Sequence, residues 1–195
     1  MLLLHGTGGD EHDLLPLAAQ LSPGSGTLAP RGAVQEAGMN RWFRRIREGV
    51  FDVDDVVRRS GDLAAFIEWA TTFYEFRDRP LIAVGFSNGA NIALATTLLH
   101  PGILPAVVAF CGMHPLDGIT LRGDLDTVSV ALFNGDADPM APQASVDQLA
   151  AVLQSRRATV SRNLRPGGHG IRPSEVTAAA EWIRRRAIGK SEQSP

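Results

Sequence analysis

LIAVGFSNGANIALATTLL, residues Leu81–Leu99, decides the fold. After Pro80 the run Leu81 to Phe86 is continuously apolar, as expected of a strand buried on both faces, and residues 88–99 read as a helix stopped by Pro101 and Gly102. Between them Gly85, Phe86, Ser87, Asn88 and Gly89 fit GxSxG in the strand–turn–helix setting that this motif requires. A nucleophile at such a turn is forced into a strained backbone, so the residues at 85 and 89 must be small enough to clear the strand and the helix. The turn would lift Ser87 Oγ above the strand ends at a helix N-terminus, where backbone N–H groups can stabilise developing negative charge. A serine serving only as a helix cap explains the hydroxyl but not the partners that follow.

Outward from this segment, strand and helix alternate. Upstream, Leu2–Leu4 is a short apolar run ended by HGTGG, and Leu14, Leu15, Leu17, Ala18 and Leu21 are spaced for one helical face. A short strand is expected at Thr27–Ala29, and residues 31–52, with no clean period, read as a surface excursion. Val56, Val57, Leu63, Phe66, Ile67, Ala70, Phe73 and Tyr74 recur at threes and fours, predicting a long amphipathic helix from Asp54 to Phe76 despite Gly61. Downstream, Leu104–Phe110 and Val128–Phe133 repeat the buried-strand pattern, Gln143–Leu153 is a helix, Ala158–Leu164 a strand and Ser174–Arg186 a helix. The order predicts an α/β fold of three layers, a mostly parallel sheet covered on both faces through right-handed crossovers. Residues 1–188 make one domain, and the polar stretch 189–195 is a flexible tail.

A serine nucleophile needs a base within hydrogen-bond reach and a carboxylate behind the base. Folds carrying this elbow order them Ser, acid, His, each after a separate strand. Val128–Phe133 leads into Asn134, Gly135, Asp136, Ala137, Asp138 and Pro139, and the last strand leads into Gly167, Gly168, His169 and Gly170. His169 is therefore the candidate base. Spacing favours Asp138 as the acid, extended by Pro139, and leaves Asp136 to ordinary turn chemistry. His100 reads as a helix-end residue, and His114 as a mouth or loop residue. The oxyanion donors are assigned to the Thr7 N–H, in the loop after the first strand, and the Asn88 N–H. No Walker lysine follows the glycines of HGTGG, and His5, Asp10 and His12 lack metal-ligand spacing, so neither a nucleotide, a metal nor another cofactor is expected.

Composition narrows the class. At 195 residues, with 44% hydrophobic and 21% charged residues, the chain suits one globular core without disulfides. Lys and Arg number 19 against 21 Asp and Glu, so no global electrostatic footprint for nucleic acid exists. The local cluster Arg41, Arg44, Arg45 and Arg47 around Trp42 and Phe43 reads as a solvated face beside an anchored aromatic pair. One cysteine, Cys111, excludes an intrachain disulfide and fits a reducing, cytoplasmic compartment. No apolar run is long enough to span a membrane.

These residues resemble the bacterial phospholipase/carboxylesterase family, related to acyl-protein thioesterases and dienelactone hydrolases, and look closest to small carboxylesterases associated with quinone resistance. The resemblance covers most of the chain and rests on LLLHGTGGDEHDLLPLA (2–18), APRG (29–32), RWFRR (41–45), GFSNGANIALA (85–95), NGDADPMAP (134–142) and GGHGI (167–171). It implies an α/β-hydrolase fold without a large lid domain and a triad at Ser87, Asp138 and His169. It also implies a small-molecule ester as substrate, with a thioester or lactone as alternatives, and is compatible with a homodimer. Members usually carry further strand ahead of the HG strand, whereas here that strand starts at Met1, which would leave the strand near Thr27 at an exposed edge. Trp42, Phe43, Phe86 and Met140 are the candidate pocket walls.

Overall fold

A computed structural model describes residues 1–47 and 49–191. In chain order its elements are β1 (Leu2–Leu4), α1 (Leu15–Leu21), β2 (Val34–Glu36), β3 (Met39–Arg41), β4 (Arg45–Arg47), β5 (Val50–Phe51), α2 (Val53–Phe73), β6 (Ile82–Phe86), α3 (Asn88–Leu99), β7 (Ala106–Phe110), β8 (Ser129–Gly135), α4 (Gln143–Ser155), β9 (Thr159–Arg165) and α5 (Pro173–Ser191). Five strands form one parallel sheet in the order β1-β6-β7-β8-β9.

The apolar runs are continuous because both faces of the sheet are covered. One face packs Leu4, Ala83, Val107, Val130 and Leu132 against α2, α3 and α4 through Val56, Ile67, Leu94 and Leu149. The other packs Leu3, Val84, Val108, Phe110 and Phe133 against α1 and α5 through Leu17, Leu21, Ala179 and Ile183. Neighbouring side chains along each strand thus enter opposite cores, the period of two that strand geometry imposes. Phe110 and Phe133 stack across β7 and β8 with centroids 5.1 Å apart, a pair worth about 1 kcal/mol beyond its buried area. Helix α3 is buried almost throughout, between α2 and the sheet. It therefore holds the elbow on a rigid support.

Differences from the sequence reading have local causes. The strand expected at Thr27–Ala29 is a single parallel bridge, Leu28 to Leu2, closed by Leu3 N–H to Leu28 O and Leu28 N–H to Met1 O, both 2.8 Å. The excursion at 31–52 is instead two antiparallel hairpins, β2–β3 and β4–β5. The first turns on Ala37 and Gly38, at φ 51° and 78°, the mirror-image turn that suits strand twist. Alanine at its first position hid that turn from sequence reading. On α2 the buried face consists of Val56, Leu63, Ile67 and Ala70, whereas Val57, Phe73 and Tyr74 are exposed, with Phe73 stacked on an exposed Trp69. The last helix continues past Arg186 to Ser191, so residues 189–191 of the expected tail are helical, and residues 192–195 lie outside the described residues.

Candidate active site

Every strand of interest delivers its loop to the same edge, because in a parallel sheet all C-terminal ends lie together. Ser87 follows β6, Cys111 follows β7, Asp138 follows β8 and His169 follows β9. This is the edge at which open α/β sheets bind ligands.

Ser87 adopts φ 53° and ψ −116° at the head of α3, a left-handed conformation costly for a side chain. Packing imposes it. A Cβ at Gly85 would lie 2.6 Å from Ala90 N, and one at Gly89 would lie 1.9 Å from Leu4 O, both immovable backbone atoms. The Ser87 N–H donates to Phe110 O at 2.9 Å, tying the turn to the end of β7. Among the described residues Ser87 Oγ and the His169 ring share no hydrogen bond.

Asp138 is buried and accepts on both oxygens. Its Oδ1 takes the N–H of Met140 at 2.9 Å and of Ala141 at 3.3 Å, and its Oδ2 lies 2.8 Å from His169 Nδ1. That contact leaves His169 Nε2 as the ring atom free to handle a proton. Asp136 does different work: its Oδ1 accepts the Gly167 N–H at 2.9 Å and fastens the histidine loop to the end of β8. Phe86, beside Ser87, packs on the His169 ring with centroids 5.1 Å apart.

The loop after β1 is held from below. His5 accepts the Gly32 N–H on Nε2 at 2.9 Å and faces Gly6 O with Nδ1 at 2.7 Å, which puts its proton on Nδ1. The Trp42 indole donates to His5 O at 2.9 Å, and the Trp42 N–H donates to Asn88 Oδ1 at 2.7 Å. Arg41 donates to Thr7 Oγ1 at 2.9 Å and to Phe43 O at 3.2 Å. Among the described residues the Thr7 and Asn88 amides donate no hydrogen bond, which leaves both N–H groups for a ligand.

The predicted walls divide. Phe43 is fully buried in the core against Phe51, and Trp42 is 7% exposed and committed to the loop contacts above. Trp42 also lines a small apolar cavity of about 180 Å³ with Pro30, Leu63 and Phe66. Phe86 and Met140 remain at the edge, Met140 well exposed. The solvated-face reading of the arginine cluster fails at Arg41, which is 3% exposed, whereas Arg44 is exposed and pairs with Asp52. His100 caps the end of α3 and meets Ser60 Oγ at 3.3 Å. His114 is buried, and burial lowers its pKa against the pull of Asp117.

Sequence reading did not find two contributors. Asn91, on the first turn of α3, accepts the Met113 N–H at 2.8 Å and anchors the loop after β7; an asparagine in an otherwise apolar helix was the available signal. Cys111, at φ 54°, lies against the histidine loop, its Sγ 3.4 Å from Gly170 O and 3.3 Å from Gly170 N. Burial pushes its thiol pKa up to about 11. Cys111, Asp138 and His169 offer ligand atoms within 4.8 Å of one another. A protonated thiol and a carboxylate already taken by two amides and an imidazole are a poor donor set for a metal.

Residues 1–186 match the phospholipase/carboxylesterase family. The chain is 38% identical over 188 residues to MhqD of Bacillus subtilis (strain 168), named as a hydrolase, covering 96% of this chain and 94% of that protein. It superposes on the Bacillus cereus carboxylesterase with TM-score 0.89 at 39% identity, covering 94% of this chain and 86% of that one. Against the carboxylesterase from Mesorhizobium loti the TM-score is 0.87 at 30% identity, over 94% and 87% of the two chains. No helix among the described residues is long and apolar enough to cross a membrane.

Proposed function

Since the chain belongs to the phospholipase/carboxylesterase family and is a hydrolase of the α/β-hydrolase type, we propose that it cleaves small to medium carboxylic esters through an acyl-enzyme on Ser87. The observation that carries this reading is the 2.8 Å contact of His169 Nδ1 with the buried Asp138, at the same sheet edge as the strained Ser87 turn. Asp138 holds the tautomer that presents Nε2 as the base. His169 Nε2 takes the Ser87 proton as Oγ attacks the ester carbonyl. The oxyanion then accepts from the Thr7 and Asn88 N–H groups, each worth roughly 3 kcal/mol in such sites. Collapse expels the alcohol, which receives the proton from His169, and water repeats the sequence to release the acid and restore Ser87. Approach of Ser87 Oγ to Nε2 accompanies substrate binding, as catalytic hydrogen bonds commonly tighten in the Michaelis complex.

The test compares wild type with Ser87→Ala on p-nitrophenyl esters of increasing acyl length, with an acyl thioester and a lactone in parallel. Wild type turns over short and medium esters, and the variant loses several orders of magnitude. Undiminished turnover in Ser87→Ala overturns the nucleophile assignment. Preference for the thioester or lactone moves the substrate class while leaving the triad in place. A folded wild type that binds such compounds without cleaving any is a binding protein.

A further inference from the structure

The segment that carries His169 contains almost nothing to pack. Gly167 and Gly170 sit at φ 114° and 149°. A Cβ at Gly170 would meet no atom within 4 Å, and one at Gly168 only Ala137 O at 3.6 Å. Three glycines around one histidine give the loop many accessible conformations, so its shape has to come from side chains outside it. The principal one is Arg165, at the end of β9. Its Nη2 donates to Gly168 O at 3.0 Å and to Gly170 O at 2.6 Å, the carbonyls on either side of His169, and its Nη1 donates to Pro166 O at 3.2 Å. The guanidinium is in turn aimed by Glu175 on the first turn of α5, whose Oε2 lies 3.0 Å from Arg165 Nε as an ion pair and also accepts the Arg172 N–H at 2.8 Å. Both side chains are largely buried, 14% and 6% exposed.

We propose that Arg165, oriented by Glu175, is a positioning residue that fixes His169 in register with Asp138 by bridging the carbonyls of Gly168 and Gly170. A planar guanidinium suits this because one nitrogen supplies two fixed N–H directions while the opposite edge meets a carboxylate. Cys111 Sγ also contacts Gly170, at its carbonyl and its N–H. The inference rests on His169 being the base proposed above. Its consequence for geometry, however, can be read without turnover.

The experiment prepares Arg165→Met, Arg165→Lys and Glu175→Gln, confirms their folding by near-ultraviolet circular dichroism, and measures two things. One is kcat and KM on a p-nitrophenyl ester; the other is the far-downfield proton resonance of the His169 Nδ1–H shared with Asp138. Arg165→Met is expected to lower kcat about 10²-fold, the cost of an ångström-scale misplacement, with KM little changed and the resonance broadened or lost. Arg165→Lys keeps a donor and recovers part of the lost kcat. A folded Arg165→Met with kcat near wild type and the resonance intact overturns the proposal. If Arg165→Met does not fold, Glu175→Gln decides: a lower kcat with a broadened resonance supports the role, and an unchanged pair of readouts overturns it. Full activity in Ser87→Ala would sink the functional reading instead, while the resonance would still report whether Arg165 places His169.

Discussion

The two halves of this site are built on opposite principles. The serine turn is fixed by steric exclusion: β6 meets α3 so closely at position 85, and the end of β1 meets α3 so closely at position 89, that only hydrogen fits at either, and α3 behind the turn is buried on nearly all sides. The histidine loop, a segment that buries little itself, is fixed by hydrogen bonds that it accepts from Arg165 and donates to Asp136, Cys111 and Asp138. Steric fixing leaves no alternative conformation and fails by overpacking. Fixing by hydrogen bonds depends on the set of polar partners and fails by loosening. The serine turn should therefore respond to volume, and the histidine loop to polarity.

The largest contrast is expected at the histidine loop. Asp138→Asn should cut kcat on a p-nitrophenyl ester by about 10⁴-fold, because an amide favours the wrong imidazole tautomer. Asp136→Asn keeps an acceptor for the Gly167 N–H and should cost less than about tenfold. Equal losses in the two variants would break the distinction drawn between these carboxylates. At the serine turn, Gly89→Ala should lower unfolding free energy in urea by more than about 3 kcal/mol, since the new methyl meets backbone that cannot step aside. A urea midpoint close to wild type would show the elbow to be softer than its contacts imply.

Smaller effects sharpen the same comparison. Trp42→Phe removes the indole donor to His5 O while keeping most of the volume. About 1 kcal/mol of stability should be lost, seen as a thermal midpoint lower by roughly 2–4 °C for a chain of this size; no shift would mean that packing alone holds the loop after β1. The smallest effect concerns Cys111. Its folded pKa is raised by burial to about 11 from an ordinary 9.0, so above pH 9 the unfolded chain loses this proton while the native one keeps it. The thiol's contribution is thus fully present below pH 9 and drains away as pH rises toward 11, by at most about 1.4 kcal/mol per pH unit. Urea titrations of wild type and Cys111→Ala at pH 8 and pH 10.5 measure it; a stability gap that fails to narrow at the higher pH would sink this account.

Most of the fold was legible because burying both faces of a parallel sheet writes uninterrupted apolar runs, and these recur at β6, β7 and β8 with helices between them. The hairpins at 34–51 were not legible: strands of two or three residues carry too few positions to show a period, and the first turns on an alanine at positive φ. Trp42 and Phe43 illustrate the same limit within the site. An aromatic pair beside arginines reads equally as wall or as core, and only packing commits Phe43 to the interior and Trp42 to the loop after β1.

The sequence by itself determined the layered α/β architecture, the glycine-flanked serine turn and the order in which the serine, acid and histidine loops leave the sheet. Those follow from periodicity and from the size limits of single residues, which are local. Tertiary structure decided which aspartate meets His169, that Arg41 and Arg165 serve buried carbonyls and hydroxyls rather than solvent, and that Cys111 touches the histidine loop. The contacts of Asp138 with His169, of Arg41 with Thr7 and of Cys111 with Gly170 join residues far apart in the chain, and the short-range reach of Arg165 is aimed by Glu175 on α5; which groups meet is set by how separate elements pack, which no window of sequence contains.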